Sequence, residues 1–196
     1  DNYGNKGFHD LHSKLTVTPV EDLTDDDKLF IINNFFDANY ANMILPRIRY
    51  ADLYKKRYSS DEVDINDFSD DEYSDIMALF NLVWFETELQ RSHPEIKALL
   101  EKEAHYTLED RIRILELHRE IIRQIIPLYK KYQDENKIEI LANAYFHPVL
   151  PILLDKKYTG ADMRDDAYSQ LKLGLDRYKE VFGRDAKGIW PSEQCV

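Results

Sequence analysis

Gly188-Ile189-Trp190-Pro191-Ser192-Glu193-Gln194-Cys195-Val196 is the stretch on which the fold turns. A short apolar run leaves a Lys-Gly pair, meets Trp-Pro, and is followed by a carboxylate. Proline cannot donate to a β-ladder, so a strand here ends at or near Trp190. Glu193 then sits just past the carboxyl end of a strand. In α/β folds that is where ligands bind and catalytic groups project. Trp190 adds a flat apolar face suited to stacking on a sugar ring.

The stretch gains weight beside a second one, Lys137-Ile138-Glu139-Ile140-Leu141-Ala142-Asn143-Ala144-Tyr145-Phe146-His147-Pro148-Val149-Leu150-Pro151-Ile152-Leu153. Ile138 to Ala142 is a β-branched run of strand length, and Pro148 and Pro151 block a continuing helix. From Asp162 to Phe182 the pattern is helical, with Ala167, Leu171, Leu175, Tyr178 and Phe182 on one face. Gly183 stands where a left-handed cap would end that helix. Ala186 to Trp190 reads as a second strand. Strand, helix and strand in this order predict a βαβ unit with parallel strands and a right-handed crossover. Parallel strands point their carboxyl ends the same way. The reading therefore places Glu139, His147, Trp190 and Glu193 around one rim.

Upstream the chain is helical. Residues 1–19 read as an irregular or partly helical lead-in, and 20–135 as a helical block. Thr24 with Asp27 forms a capping box, followed by Leu29, Ile32, Phe36 and Tyr40 at helical spacing. That helix is expected to end before Pro46, with a bend at 46–50 and a short helix over Ala51 to Tyr58. Ser69 with Glu72 opens a helix through Phe80 to Leu89, and Trp84 in its apolar stripe reads as core. Pro94 suits the first turn of a helix over Glu95–Glu103. Thr107 with Asp110 opens the longest helix. Its stripe is Leu108, Ile112, Leu115, Ile122, Ile126 and Tyr129, and Pro127 should kink it. The fold class is then α/β but predominantly helical: 1–19 lead-in, 20–135 helical block, 136–196 βαβ unit carrying the rim.

The totals narrow the functions. With 26 Lys and Arg against 37 Asp and Glu, the net charge is −11. That disfavours a nucleic-acid partner and an anionic membrane surface, and leaves a neutral, hydroxyl-rich substrate compatible. The single cysteine, Cys195, excludes an internal disulfide and any multi-cysteine zinc site. No apolar run reaches membrane-spanning length, so the location is read as cytoplasmic, unless a leader has been removed. No cofactor and no metal are called for. His9 and His12 share a helical spacing but lack a third ligand, and read as surface or structural residues. His105 and His118 read the same way, and Cys195 as a buried inert thiol.

These residues carry a resemblance. Ile138-Glu139-Ile140 through Tyr145-Phe146-His147-Pro148-Val149-Leu150-Pro151-Ile152-Leu153 is similar to the second signature region of glycoside hydrolase family 57, and Gly188-Ile189-Trp190-Pro191-Ser192-Glu193 resembles its third. Asn34 to Tyr40 with Met43 and Pro46 to Tyr50, and Phe80-Asn81-Leu82-Val83-Trp84-Phe85, resemble recurring segments of the helical part. The resemblance implies a portion of an incomplete (β/α)7 barrel with a large helical insertion. It implies retaining hydrolysis or transfer on α-glucans, polysaccharide or oligosaccharide. On it Glu193 maps onto the nucleophile, His147 onto a sugar-hydroxyl contact, Glu139 onto a supporting or substrate-binding residue, and Trp190 onto a stacking residue. The first signature is not recognisable, and the acid/base Asp of the fourth would lie beyond Val196. The 196-residue chain alone is therefore expected to be inactive, and the remainder of the same catalytic domain is the expected partner. Two other classes stand beside this one: a non-catalytic carbohydrate-binding remnant, and a metal-dependent carbohydrate deacetylase-like hydrolase with His and Asp ligands at the rim.

Overall fold

The computed structural model describes residues 10–60, 62 and 64–195. His9 of the His9–His12 spacing lies outside them. Helix dominates, and the described residues contain no sheet. The chain divides into two compact units, Asp1–Arg123 and Gln124–Val196.

The first unit is built on one helix. In chain order come α1 (Leu11–Thr16), α2 (Asp25–Asn34), α3 (Ile48–Arg57), α4 (Asp70–Val83), α5 (Thr87–Ser92), α6 (Pro94–Lys102) and the first part of α7 (Leu108–Asp134). Around α4 pack α1, α2, α3 and α6. Tyr73, Ile76, Met77, Ala78 and Leu82 of α4 are fully buried. Each large apolar side chain so buried contributes about 1.5–3 kcal/mol relative to exposure. Start signals are as the sequence predicts. Thr24 and Asp27, and Ser69 and Glu72, close reciprocal capping boxes. Thr107 and Asp110 do the same, with backbone-to-side-chain bonds of 2.8 and 3.3 Å.

Two buried charges tie the helices together. Asp75, inside α4, is 0% exposed; it accepts from Arg49 Nε at 2.8 Å and from the Tyr106 backbone at 3.1 Å. Arg111, 2% exposed, donates to the carbonyls of Thr16 and Thr18, each at 3.0 Å. A buried guanidinium is tolerable only because carbonyls meet it.

Arg111 also corrects the phase of α7. The inward face is Arg111, Ile114, Leu115 and Leu117, whereas Ile112, Ile122, Ile126 and Tyr129 are exposed. A stripe chosen by hydropathy alone skips a cation that the Thr16 and Thr18 carbonyls draw inward. α2 likewise stops at Asn34, short of the Pro46 boundary. Its core residues are Ile31 and Ile32, with Phe35 and Phe36 just beyond, while Leu29 and Tyr40 face out. The bend expected over 46–50 forms at Pro46 and Arg47, and α3 already begins at Ile48.

In the second unit the end of α7 is followed by α8 (Leu150–Leu154), α9 (Lys156–Thr159) and α10 (Arg164–Phe182). Gly183, at φ 71°, caps α10 in the left-handed region as expected. Tyr178 and Phe182 of α10 bury Ala142, and the Tyr178 hydroxyl lies 2.7 Å from Gln133 Oε1. The two expected strands are reduced to one parallel bridge, Ala142 to Ile189. The Ala142 N–H donates to Gly188 O at 3.0 Å and the Trp190 N–H to Ala142 O at 2.8 Å. The direction is the predicted one, but the extent is not. Parallel pairing is stable where both faces are covered. Ile138, Leu141, Ile189 and Trp190 stay exposed, so cover is incomplete and the ladder does not extend.

His118 sets a pH test for the first unit. Its ring stacks on Phe85 at 3.8 Å, and Nε2 lies 2.9 Å from Asn81 O. Burial pushes its pKa below the ordinary 6.5, with the Asn81 carbonyl opposing in part. The unfolded chain therefore binds more protons than the folded one once pH drops below that value, and stability falls as pH is lowered. Glu72 and Asp110 have lowered pKa values, so their contribution is lost as pH falls through the carboxylate range and below it. Urea unfolding between pH 7.5 and 5 should show stability lost below about pH 6.5, and His118→Gln should flatten that loss.

Candidate active site

The rim is assembled by α10 and one glycine. Gly174, and not the Leu175 expected on that face, lies on the inward side of α10, while Leu175 is exposed. A Cβ there would lie 2.0 Å from Asn143 O. Without one, the helix approaches close enough to hold the following loop. The Tyr145 N–H donates to Gln170 O at 3.0 Å, and the Phe146 N–H to Gln170 Oε1 at 2.9 Å. A turn closed by the His147 N–H on Ala144 O then brings His147 out at φ 56°.

The other side of the rim is a 3-10 turn, Ser192–Gln194, opened by Pro191. Ser192 is buried and its hydroxyl lies 3.2 Å from Asn143 Oδ1, which links the two segments beyond the bridge. Glu193 leaves that turn at φ 54°, ψ 23°. Non-glycine residues rarely occupy this region, and one that does costs about 1–2 kcal/mol. His147 and Glu193 meet: Nε2 lies 3.6 Å from Oε1, and both side chains are more than half exposed. Trp190 is 47% exposed, one residue past the bridge.

The structure thus brings His147 and Glu193 into contact, on the segments where Trp190 also stands. Glu139 is elsewhere. It lines a cavity of about 290 Å³ with Gln133, Tyr178, Asp185 and Lys187, and no residue of 143–147 or 190–194 lines that cavity. Glu139 stands three positions before Ala142, on the amino side of the bridge, whereas His147 follows it. Cys195 is exposed, against the buried thiol expected, and its sulfur contacts Glu193 O at 3.6 Å. Among the described residues no three His, Cys, Asp or Glu side chains converge as a metal site requires.

The model of glycosyl hydrolase family 57 matches residues 20–196. The chain belongs to that family. Neither curated proteins nor solved structures give a further match. Family 57 membership makes this a glycoside hydrolase chain of the α-glucan class. Both halves of the rim fall inside the matched residues. Among the described residues no helix is long and apolar enough to cross a membrane.

One exposed aromatic escaped the sequence reading. Trp84, expected in the core, is 56% exposed, because α4 ends at Val83 and Trp84 is its cap. Its signal was the helix end, which hydropathy does not mark.

Gly174→Ala tests how the rim is built. Overpacking of this kind costs about 1–3 kcal/mol. The variant should unfold at lower urea when followed by Trp190 emission in a Trp84→Phe background, and an unchanged midpoint would show the contact to be slack.

Proposed function

We propose that Glu193 is the nucleophile of a retaining α-glucan-active enzyme, on the rim of a partial (β/α)7 barrel. The single supporting observation is the 3.6 Å pairing of the Glu193 and His147 side chains on the loops that follow the parallel bridge. Family membership supplies the substrate class. The proposed division is that of the sequence: 1–19 lead-in, 20–135 helical insertion, 136–196 barrel part.

In this reading Glu193 Oε attacks the anomeric carbon as the glycosidic bond to the leaving oxygen breaks, and a glycosyl ester forms. His147, beside it, holds a sugar hydroxyl and keeps the carboxylate aimed. Trp190 carries an apolar sugar face. Glu139 keeps the supporting or substrate-binding role that the resemblance implies, at the separate cavity on the amino side of the bridge. A retaining reaction needs a second carboxyl about 5–5.5 Å from the first to protonate the leaving oxygen. The rim residues described supply one carboxyl. In this reading the acid/base is a carboxyl outside the rim residues described.

A substrate that needs no acid tests the nucleophile directly. Fluoride leaves without protonation, so a 5-fluoro-α-glucosyl fluoride should slowly esterify Glu193 and release fluoride. Peptide mass spectrometry should find the added sugar on Glu193, and Glu193→Gln should abolish it. A sugar on another residue, or none on the native chain, would remove Glu193 from the mechanism.

A further inference from the structure

Trp84 is turned outward from a well-packed helix end. Its neighbours Val83 and Phe85 are each 4% exposed, while Trp84 is 56% exposed. The indole is held in place. Its backbone N–H reaches Asn81 O and Leu82 O, and its ring meets the Phe80 ring edge-on at 6.5 Å. Beside it opens a groove of about 880 Å³, within the first unit alone. Small-molecule sites span about 300–1,000 Å³.

Two of the groove's polar groups, Gln90 and Arg47, are bonded in place, and the charges of the lining balance. Gln90 Nε2 donates to Phe85 O at 2.7 Å, which pins the amide next to Trp84. Gln90 Oε1 in turn accepts from Arg47 Nη2 at 2.5 Å. A guanidinium has five donors, and this bond takes one. The lining carries three cations, Arg47, Arg91 and Lys97, and three carboxylates, Glu86, Glu101 and Glu103. A polyanion would meet as much repulsion as attraction there. A neutral ligand rich in hydroxyls, each both donor and acceptor, suits that balance, and an exposed indole suits the apolar face of its rings.

We infer that this groove is a second α-glucan site, with Trp84 as the stacking platform and Arg47 as a hydroxyl donor. It rests on the α-glucan class and adds an attachment point on the helical unit. Such a site would hold a long chain to the protein without taking part in bond cleavage.

The two tryptophans make the test, because Trp84 and Trp190 are the only ones in the chain, one in each unit. Trp190→Phe leaves Trp84 as the sole reporter, and Trp84→Phe leaves Trp190. On titration with maltoheptaose, the Trp190→Phe chain should show a saturating change in indole emission. Adding Arg47→Ala to it should weaken binding roughly tenfold, the worth of one hydrogen bond to a charged group. A flat response from the Trp190→Phe chain with a response from the Trp84→Phe chain overturns the second site and leaves the rim's substrate class standing. Two flat responses overturn both. A titration unmoved by Arg47→Ala takes the groove out of the interaction and overturns the assignment.

Discussion

The approach of α10 to the backbone of Asn143 is the constraint on which the rim depends. A helix can touch a neighbouring carbonyl this closely only where it carries no side chain, and Gly174 provides that place. Once the helix is there, Gln170 offers two acceptors to successive backbone N–H groups, at Tyr145 and Phe146. That fixes the loop ahead of His147. Asn143, under the same helix, meets the Ser192 hydroxyl and so positions the turn that carries Glu193. Both members of the pair thus trace back to one missing methyl group.

The pair itself adds little stability. With both side chains more than half exposed, its attraction is screened, and exposed ion pairs contribute about 0–1 kcal/mol. Yet both residues occupy the left-handed backbone region, at φ 56° and 54°. The arrangement costs more than the pair returns. The bonds around it offset the difference: the Ala144–His147 turn, the Gln194 N–H on Pro191 O, and the Ser192–Asn143 contact. Strain held by surrounding structure for a weak contact fits a pair kept for chemistry, as proposed for Glu193 and His147.

Local signals in the sequence translated well, and long-range ones did not. The capping boxes at Thr24, Ser69 and Thr107 and the cap at Gly183 depend on residues a few positions apart, and each forms as read. The direction of the Ala142–Ile189 pairing follows from connectivity and was also legible. Strand length was not, because a ladder extends only with cover on its faces, and cover comes from distant residues. The inward turn of Arg111 depends on carbonyls some ninety positions earlier in the chain. Glu139 matched a signature by type, but its cavity is made by Tyr178, Asp185 and Lys187, which the stretch around it does not reveal.

Charge connects the two proposed sites. The chain carries a net −11, which repels anionic ligands at long range and leaves neutral ones indifferent. Selection of a neutral sugar then has to come from short-range contacts. At the rim those are a carboxylate, an imidazole and a half-exposed indole. In the groove beside α4 they are an indole, a pinned amide–guanidinium pair and a lining whose charges cancel. The difference between the two lies in the carboxylate. At the rim it is paired with a histidine on a strained turn, a geometry suited to attack. In the groove carboxylates and cations are equal in number and Glu101 pairs with Lys97 at 3.8 Å, which suits holding a ligand and not transforming it. Repeating glucose units offer the same apolar ring faces and hydroxyls to each of the two proposed sites, so one ligand class answers both sets of short-range contacts.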